Sequence, residues 1–265
     1  MEKITALITG ATSGIGAAYA ERFAKEGYNL ILTGRRAAIL NGRAEQIHQH
    51  YGVIVDTVLV ELSNEAGIDE LIQRIGNRPL DVLVNNAGFG ASRLLYQQDL
   101  DIQLAMVAVH VSAPVKLIHA VLPGMVARKK GIIINISSES ALLPFPKNCI
   151  YSGTKAFVKT FSEGLHLDLM GTGVQVQVVC PGLTRTDFHE KMGMEKSRQR
   201  NRGMLKWMIP EEVVDISLRD LRKNKVVCIP GNHTKMLVKM LGLLPRNSYY
   251  RFVHKFTGKK FSQSA

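Results

Sequence analysis

A buried-type strand that runs straight into a glycine turn and then a helix constrains this chain more than any other feature. Lys3 to Thr9 carries the apolar run Ile4, Ala6, Leu7 and Ile8, and Thr9-Gly10-Ala11-Thr12-Ser13-Gly14-Ile15-Gly16 follows at once. From about Ile15 to Lys25, Tyr19, Ala20 and Phe23 recur at helical spacing, and Gly27 stops the helix. A strand that turns this tightly into a helix aims free N–H groups and a positive dipole end at one point. Glycine there lets an anion approach the backbone closely, so the junction predicts a phosphate-binding turn. Strand and helix patterns then alternate, which predicts a parallel sheet with helices on both faces. Strands are expected near 3–9, 28–33, 53–61, 81–85, 131–137, 174–180 and 225–229. Helices are expected near 15–26, 36–50, 64–75, 98–127, 151–171 and 210–223. A chain of 265 residues suits one such domain, with no repeat or linker to divide it.

The second informative feature is Tyr151-Ser-Gly-Thr-Lys155. Positions i and i+4 share a helical face, so the phenol and the ammonium point the same way. A phenol of pKa near ~10 is a poor proton shuttle at neutral pH, and a fixed cation nearby is expected to lower that value. Alone the pattern is common in helix-rich chains; its weight comes from what surrounds it.

Four motifs, in order and at ordinary spacing, make the chain resemble the short-chain dehydrogenase/reductase family. The family's T-G-x-x-x-G-x-G stands as Thr9 to Gly16, and its N-N-A-G as Asn85-Asn86-Ala87-Gly88. Its serine is Ser138, thirteen residues before Tyr151, and its P-G with a following threonine is Pro181-Gly182 with Thr184 and Thr186. The resemblance covers Lys3 to about Gly231. It implies a single doubly wound, Rossmann-type α/β domain that exchanges hydride between a nicotinamide cofactor and a carbonyl or alcohol. Tyr151 would move the proton, Lys155 would tune it and hold the nicotinamide ribose, and Ser138 would bind the substrate oxygen. Gly10, Thr12, Ser13, Gly14, Ile15 and Gly16 would hold the cofactor's phosphates, with Asn86, Ala87 and Gly88 alongside. Pro181, Gly182, Leu183, Thr184 and Thr186 would hold its carboxamide end. Glu61-Leu62 stands where relatives place Asp and an apolar residue against adenine.

Two positions carry finer expectations. No Asp or Glu occurs from Asn29 to Ile39, and Arg35-Arg36 closes the second strand pattern. An acid there selects NAD, whereas arginine accommodates a 2′-phosphate, so NADP(H) is the expected cofactor, with Arg35 the principal contact. His110 stands where relatives usually carry an asparagine that anchors a water beside the lysine. Pro114 has no N–H, so the carbonyl of residue 110 lacks its helical partner and is free to bind that water. The imidazole is then expected to fill the asparagine's space, with a part in proton transfer as a second possibility.

Residues 183–209 are expected to fold over the substrate. Phe188, Met192, Met194, Met204, Leu205, Trp207 and Met208 alternate there with basic side chains, which suits a hydrophobic carbonyl, an acyl thioester among the options. Residues 232–265 read as a basic amphipathic extension. After Asp220 no acidic residue occurs while ten Lys and Arg do, most of the net charge of +12. A lipid surface and a sister subunit fit this extension equally, nucleic acid less well. Cys149, Cys180 and Cys228 lack metal-ligand spacing, no signal peptide is read, and a cytoplasmic homodimer or homotetramer is expected. The apolar stretch 104–127 carries His110, Lys116 and His119 and reads as a buried helix. The different-class alternative is a cofactor-binding regulatory or membrane-surface scaffold with weakened turnover.

Overall fold

Strands that are apolar along their whole length need cover on both faces, and the computed structural model supplies it. Residues 4–195, 197, 199–201 and 206–261 are described, with side chains as far as residue 255. Lys196, Arg198, Arg202, Met204 and Leu205 of the expected lid lie outside the described residues. The strands are β1 (Thr5–Ile8), β2 (Asn29–Gly34), β3 (Val55–Leu59), β4 (Val82–Asn85), β5 (Gly131–Ile136), β6 (Val174–Val179) and β7 (Val227–Cys228). They form one sheet in the order β3-β2-β1-β4-β5-β6-β7, every pairing parallel. The order reverses between β1 and β4, and ligands of such sheets bind outside the carboxyl ends of the strands at that reversal.

The two faces have separate cores. Ala6, Ile8, Leu30 and Leu32 face α1 (Gly14–Lys25) and α8 (Pro210–Leu221), meeting Tyr19, Phe23, Val213 and Leu218. Leu7, Ile31, Leu83 and Ile133 face α3 (Glu65–Ile75) and α5 (Ala113–Ala127). Adjacent residues of one strand thus enter opposite cores, as the period of two requires. The remaining helices are α2 (Ala37–Tyr51), α4 (Leu100–Val107), α6 (Cys149–Asp168), α7 (Asp187–Lys191), α9 (Asn232–Gly242) and α10 (Arg246–Phe261).

Three expectations change. The strand expected over 53–61 is paired only from Val55 to Leu59. The helix expected over 98–127 is broken by a π-helical turn, Ala108–Ser112, where the Ala113 N–H reaches back to the Ala108 carbonyl. Pro114 explains the break: its ring clashes with the carbonyl four residues earlier, and a wider turn relieves it. This segment, Leu100–Ala127, is long and apolar enough by composition to cross a membrane. It instead packs on the sheet through Leu117, Ile118 and Met125, while Leu100, Ile102 and Leu104 stay exposed, so it is buried on one side only. The third change concerns the extension. The structure gives one face of α9 and α10 to the chain itself: Leu143 is buried with Tyr249 and Val253, beside Leu142, Phe145 and Leu237. The Tyr249 hydroxyl donates to the Pro144 carbonyl at 2.8 Å.

Candidate active site

The glycine turn is locked to β4 before any ligand is considered. The Thr9 hydroxyl accepts from the N–H groups of both Asn86 and Ala87 at 3.0 Å, and Asn86 Nδ2 donates to the carbonyls of Thr9 and Gly10. Gly10 and Gly14 hold φ of +68° and +58°, a region that favours glycine. A Cβ on Gly16 would lie 2.3 Å from Asn86 Nδ2 and 2.5 Å from the Gly10 carbonyl oxygen. The start of α1 therefore sits against bare backbone, the cradle a pyrophosphate needs.

From this turn an open cleft of about 1120 Å³ runs to the ends of β4, β5 and β6. All the residues expected to bind the cofactor from the glycine turn, Arg35, Arg36, Glu61, Leu62, the Asn86–Gly88 turn and the 181–186 loop line it, Gly16 excepted, which lies beneath the turn. At one end Arg36 donates to the hydroxyls of Thr12 and Ser13 at 2.8 and 2.9 Å and reaches Asp187 at 3.4 Å. Arg35 pairs with Glu61 at 2.9 Å, and the Ser63 N–H donates to the other oxygen of that carboxylate. Burial would raise the Glu61 carboxyl, but these two partners outweigh it and hold it below the usual range.

At the other end stand Ser138, Tyr151 and Lys155. Helix α6 is fixed against β5 by a buried polar chain: Asn85 donates to Asn135, Asn135 to Ser162, and Ser162 to the Val158 carbonyl. The Ser137 hydroxyl donates to the Lys155 carbonyl at 2.7 Å, and Lys155 Nζ donates to the Ile136 carbonyl at 2.9 Å. The ammonium lies 5.8 Å from the centre of the Tyr151 ring.

Burial governs the titration of this pair. It pushes the Tyr151 phenol up to about 12, against a hydrogen bond from Ser138 that works the other way. It pushes Lys155 down to about 8. The lowered phenol expected from the sequence is not what the site shows. Desolvating a would-be phenolate costs more here than the Ser138 hydrogen bond returns, and the Glu139 carboxyl beside it adds to the rise. The phenol therefore holds its proton at neutral pH, the form needed to donate to a carbonyl oxygen.

His110 is buried and its imidazole is fully committed. Nε2 accepts from the Phe89 N–H at 3.2 Å, which leaves Nδ1 to donate to the Thr154 hydroxyl at 2.9 Å. The Thr154 hydroxyl in turn donates to the Tyr151 carbonyl at 2.9 Å. Burial, with the Lys155 charge second, holds the imidazole well below its usual pKa and so neutral. A Cβ on Gly88 would lie 2.7 Å from Nε2, so the imidazole fills the space to the turn's backbone.

Sequence reasoning missed Glu139. It follows Ser138, lines the cleft, and burial raises its carboxyl to about 7. Among the described residues its carboxylate has no hydrogen-bond or ion-pair partner. Phe89 and Leu237 were missed too; both line the cleft, from the turn after β4 and from α9. Position alone could not reveal them, because neither belongs to a spaced motif.

Comparison with known proteins decides the family. The model described as short chain dehydrogenase matches residues 4–197. The chain is a short-chain dehydrogenase. A dehydrogenase of Sphingobium yanoikuyae solved in complex with NADPH superimposes with a TM-score of 0.81 at 34% identity, covering 87% of this chain and 88% of that one. Sulfoacetaldehyde reductase 2 of Chromohalobacter salexigens is 40% identical over 189 residues, 69% of this dehydrogenase and 73% of the relative. Very-long-chain 3-oxoacyl-CoA reductase of Mus musculus is 40% identical over 185 residues, 68% of this dehydrogenase and 59% of the relative. This dehydrogenase is thus an oxidoreductase built for a nicotinamide cofactor, with a Rossmann-type fold.

Proposed function

We propose that this dehydrogenase uses NADPH to reduce a medium-to-large hydrophobic carbonyl that carries an anionic handle. The observation that carries the reading is the apolar wall facing the Ser138–Tyr151–Lys155 cluster. Phe188 stacks at a tilt 5.6 Å from Tyr151, and His189 joins it edge-on to Trp207. A Cβ on Gly90 would lie 2.6 Å from the Met192 sulfur and 2.8 Å from Phe188, so α7 and the turn after it close against the loop that follows β4. Lys191 and Arg200 line the same cleft and supply cations for a handle. The names of two relatives agree with an anionic handle, one acting on a very-long-chain 3-oxoacyl thioester, which is also hydrophobic, and the other on a small aldehyde bearing a sulfonate.

The cofactor, when bound, supplies the hydride. Arg35 and Arg36 would hold a 2′-phosphate, with the Thr12 and Ser13 hydroxyls beside Arg36 as further donors. Ser138 donates to the substrate oxygen as negative charge grows on it, and Tyr151 gives that oxygen its proton. Lys155 would stabilise the phenolate left behind until a proton from solvent, relayed by water, restores the phenol, and would hold the cofactor's ribose hydroxyls. His110 positions: its two hydrogen bonds fix the Phe89 turn and, through Thr154, the first turn of α6. Pro114 leaves the carbonyl of residue 110 without an i+4 donor, so a water beside Lys155 still has an anchor. Exposed Leu104 on α4 and Phe157 and Leu167 on α6 support pairing of subunits through these helices.

The test is cofactor oxidation with NADPH beside NADH against aldehydes, ketosteroids and 3-oxoacyl thioesters. Turnover with NADPH on one class is expected, with the Tyr151→Phe enzyme slower by about 10²–10⁴-fold. Tight NADPH binding with no turnover on any class would overturn the reading in favour of a regulatory binder.

A further inference from the structure

Helix α9 is apolar on two sides, and only one of them is used. Leu237, Val238 and Leu241 face Leu143 and Tyr249 of the same chain. Met236, Met240 and Leu243, at i, i+4 and i+7, form a stripe on the other side and are 46, 52 and 76% exposed. An apolar stripe at this spacing, left in water, marks an interaction surface. Lys239 lies exposed within it and Arg246 just beyond it. From Leu221 to the C-terminus the chain contains ten Lys and Arg and no Asp or Glu.

This charge pattern chooses the occupant. A second copy docking stripe to stripe would bring Lys239 and Arg246 against themselves, with no carboxylate in the segment to relieve them. The exposed leucines of α4 are different, since Asp99 and Asp101 flank Leu100 and Ile102, which disfavours an anionic surface there and leaves that face to a subunit. We propose that the outer stripe of α9 docks on an anionic lipid surface, its methionines and leucine entering the headgroup boundary and its lysines and arginines meeting lipid phosphates. Each basic side chain close to such a surface raises binding about fivefold, and the buried apolar stripe adds to it.

Docking has a consequence for the cleft. Leu237, on the inner face of the same helix, lines the cleft, and Phe145 beside it lines the substrate end. The helix that docks is then also a wall of the cleft, so a hydrophobic carbonyl partitioned into the bilayer is concentrated within a helix's width of Ser138 and Tyr151. That last step rests on the reductase reading; the docking does not.

The experiment uses the full chain with sedimented vesicles of phosphatidylcholine alone or with 30% phosphatidylglycerol. Binding to the anionic vesicles only is expected, strengthening for the wild-type chain as salt is lowered, and weakened at least tenfold by Met240→Glu with Leu243→Glu. Tightness of NADPH binding, followed by nucleotide fluorescence, should be unchanged in that variant, which separates loss of docking from loss of fold or of the reductase reading. Failure to bind anionic vesicles would overturn the proposal. So would equal binding by the variant, or a variant that falls from dimer to monomer in sedimentation equilibrium, which would make the stripe a subunit interface.

Discussion

At the scale of single residues, the site separates side chains whose chemistry is committed from one whose chemistry is open. His110 has both nitrogens satisfied and Lys155 has a carbonyl partner, but Glu139 faces the cleft with only burial acting on it. Its carboxyl is raised from the usual 4.5 to about 7, so the folded protein keeps a proton that the unfolded chain releases. Between those two values the folded state binds more protons than the unfolded one, and stability falls as pH rises. Below pH 4.5 the effect is absent, and above 7 the loss is complete. Glu139→Gln removes the titration without changing shape. Relative to wild type, the variant is expected to gain about 1–3 kcal/mol of stability between pH 5 and pH 8, the lower end allowing for the side chain's contact with solvent in the cleft. Urea unfolding at both pH values measures it. A constant difference between the two proteins would show that Glu139 ionises freely.

At the scale of elements, what was legible in the sequence had local causes. The turn Thr9–Gly16 needs glycine for its φ values and for the approach of Asn86, and Tyr151 and Lys155 need only helical spacing to share a face. The π turn at Ala108–Ser112 was half legible, since Pro114 announces a missing donor but not how the helix absorbs it. The fate of α9 and α10 was not legible, because an amphipathic pattern states that a face will be covered and not by what. Here the cover is the loop after Ser138, tied by one hydrogen bond from Tyr249 to Pro144. Tyr249→Phe keeps the ring and deletes that bond, leaving a carbonyl without its donor. The expected cost is about 0.5–1.5 kcal/mol in unfolding free energy. Because the loop carries Phe145 at the substrate end, KM should rise severalfold while kcat changes little. A kcat that falls as far as KM rises would place the bond in the chemistry instead of the substrate wall.

At the scale of the whole molecule, the sheet is two halves joined at a seam. Between β1 and β4 the ladder has three rungs, Ala6 with Val82, Leu7 with Leu83 and Ile8 with Val84, extended by the Thr9–Asn86 hydrogen bonds. A nucleotide held as proposed would span that seam, with the glycine turn on one side and the ends of β5 and β6 on the other. Its binding free energy therefore adds to the cohesion of both halves. At a hundred times the dissociation constant this amounts to about 2.7 kcal/mol, which in a chain of this size raises Tm by about 5–10 °C. On the proposed reading NADPH should give the larger shift and NADH at equal concentration a smaller one, since only a 2′-phosphate would engage Arg35 and Arg36. Gly16→Ala tests where that energy enters. Its new Cβ would meet Asn86 Nδ2 and the Gly10 carbonyl at well under contact distance, so Asn86 releases the turn or α1 moves off it. The expected variant unfolds several degrees early, a loss of about 1–3 kcal/mol, and gains less than about 1 °C from NADPH. Retention of the full NADPH shift in that variant would mean the phosphates are held elsewhere than at the start of α1.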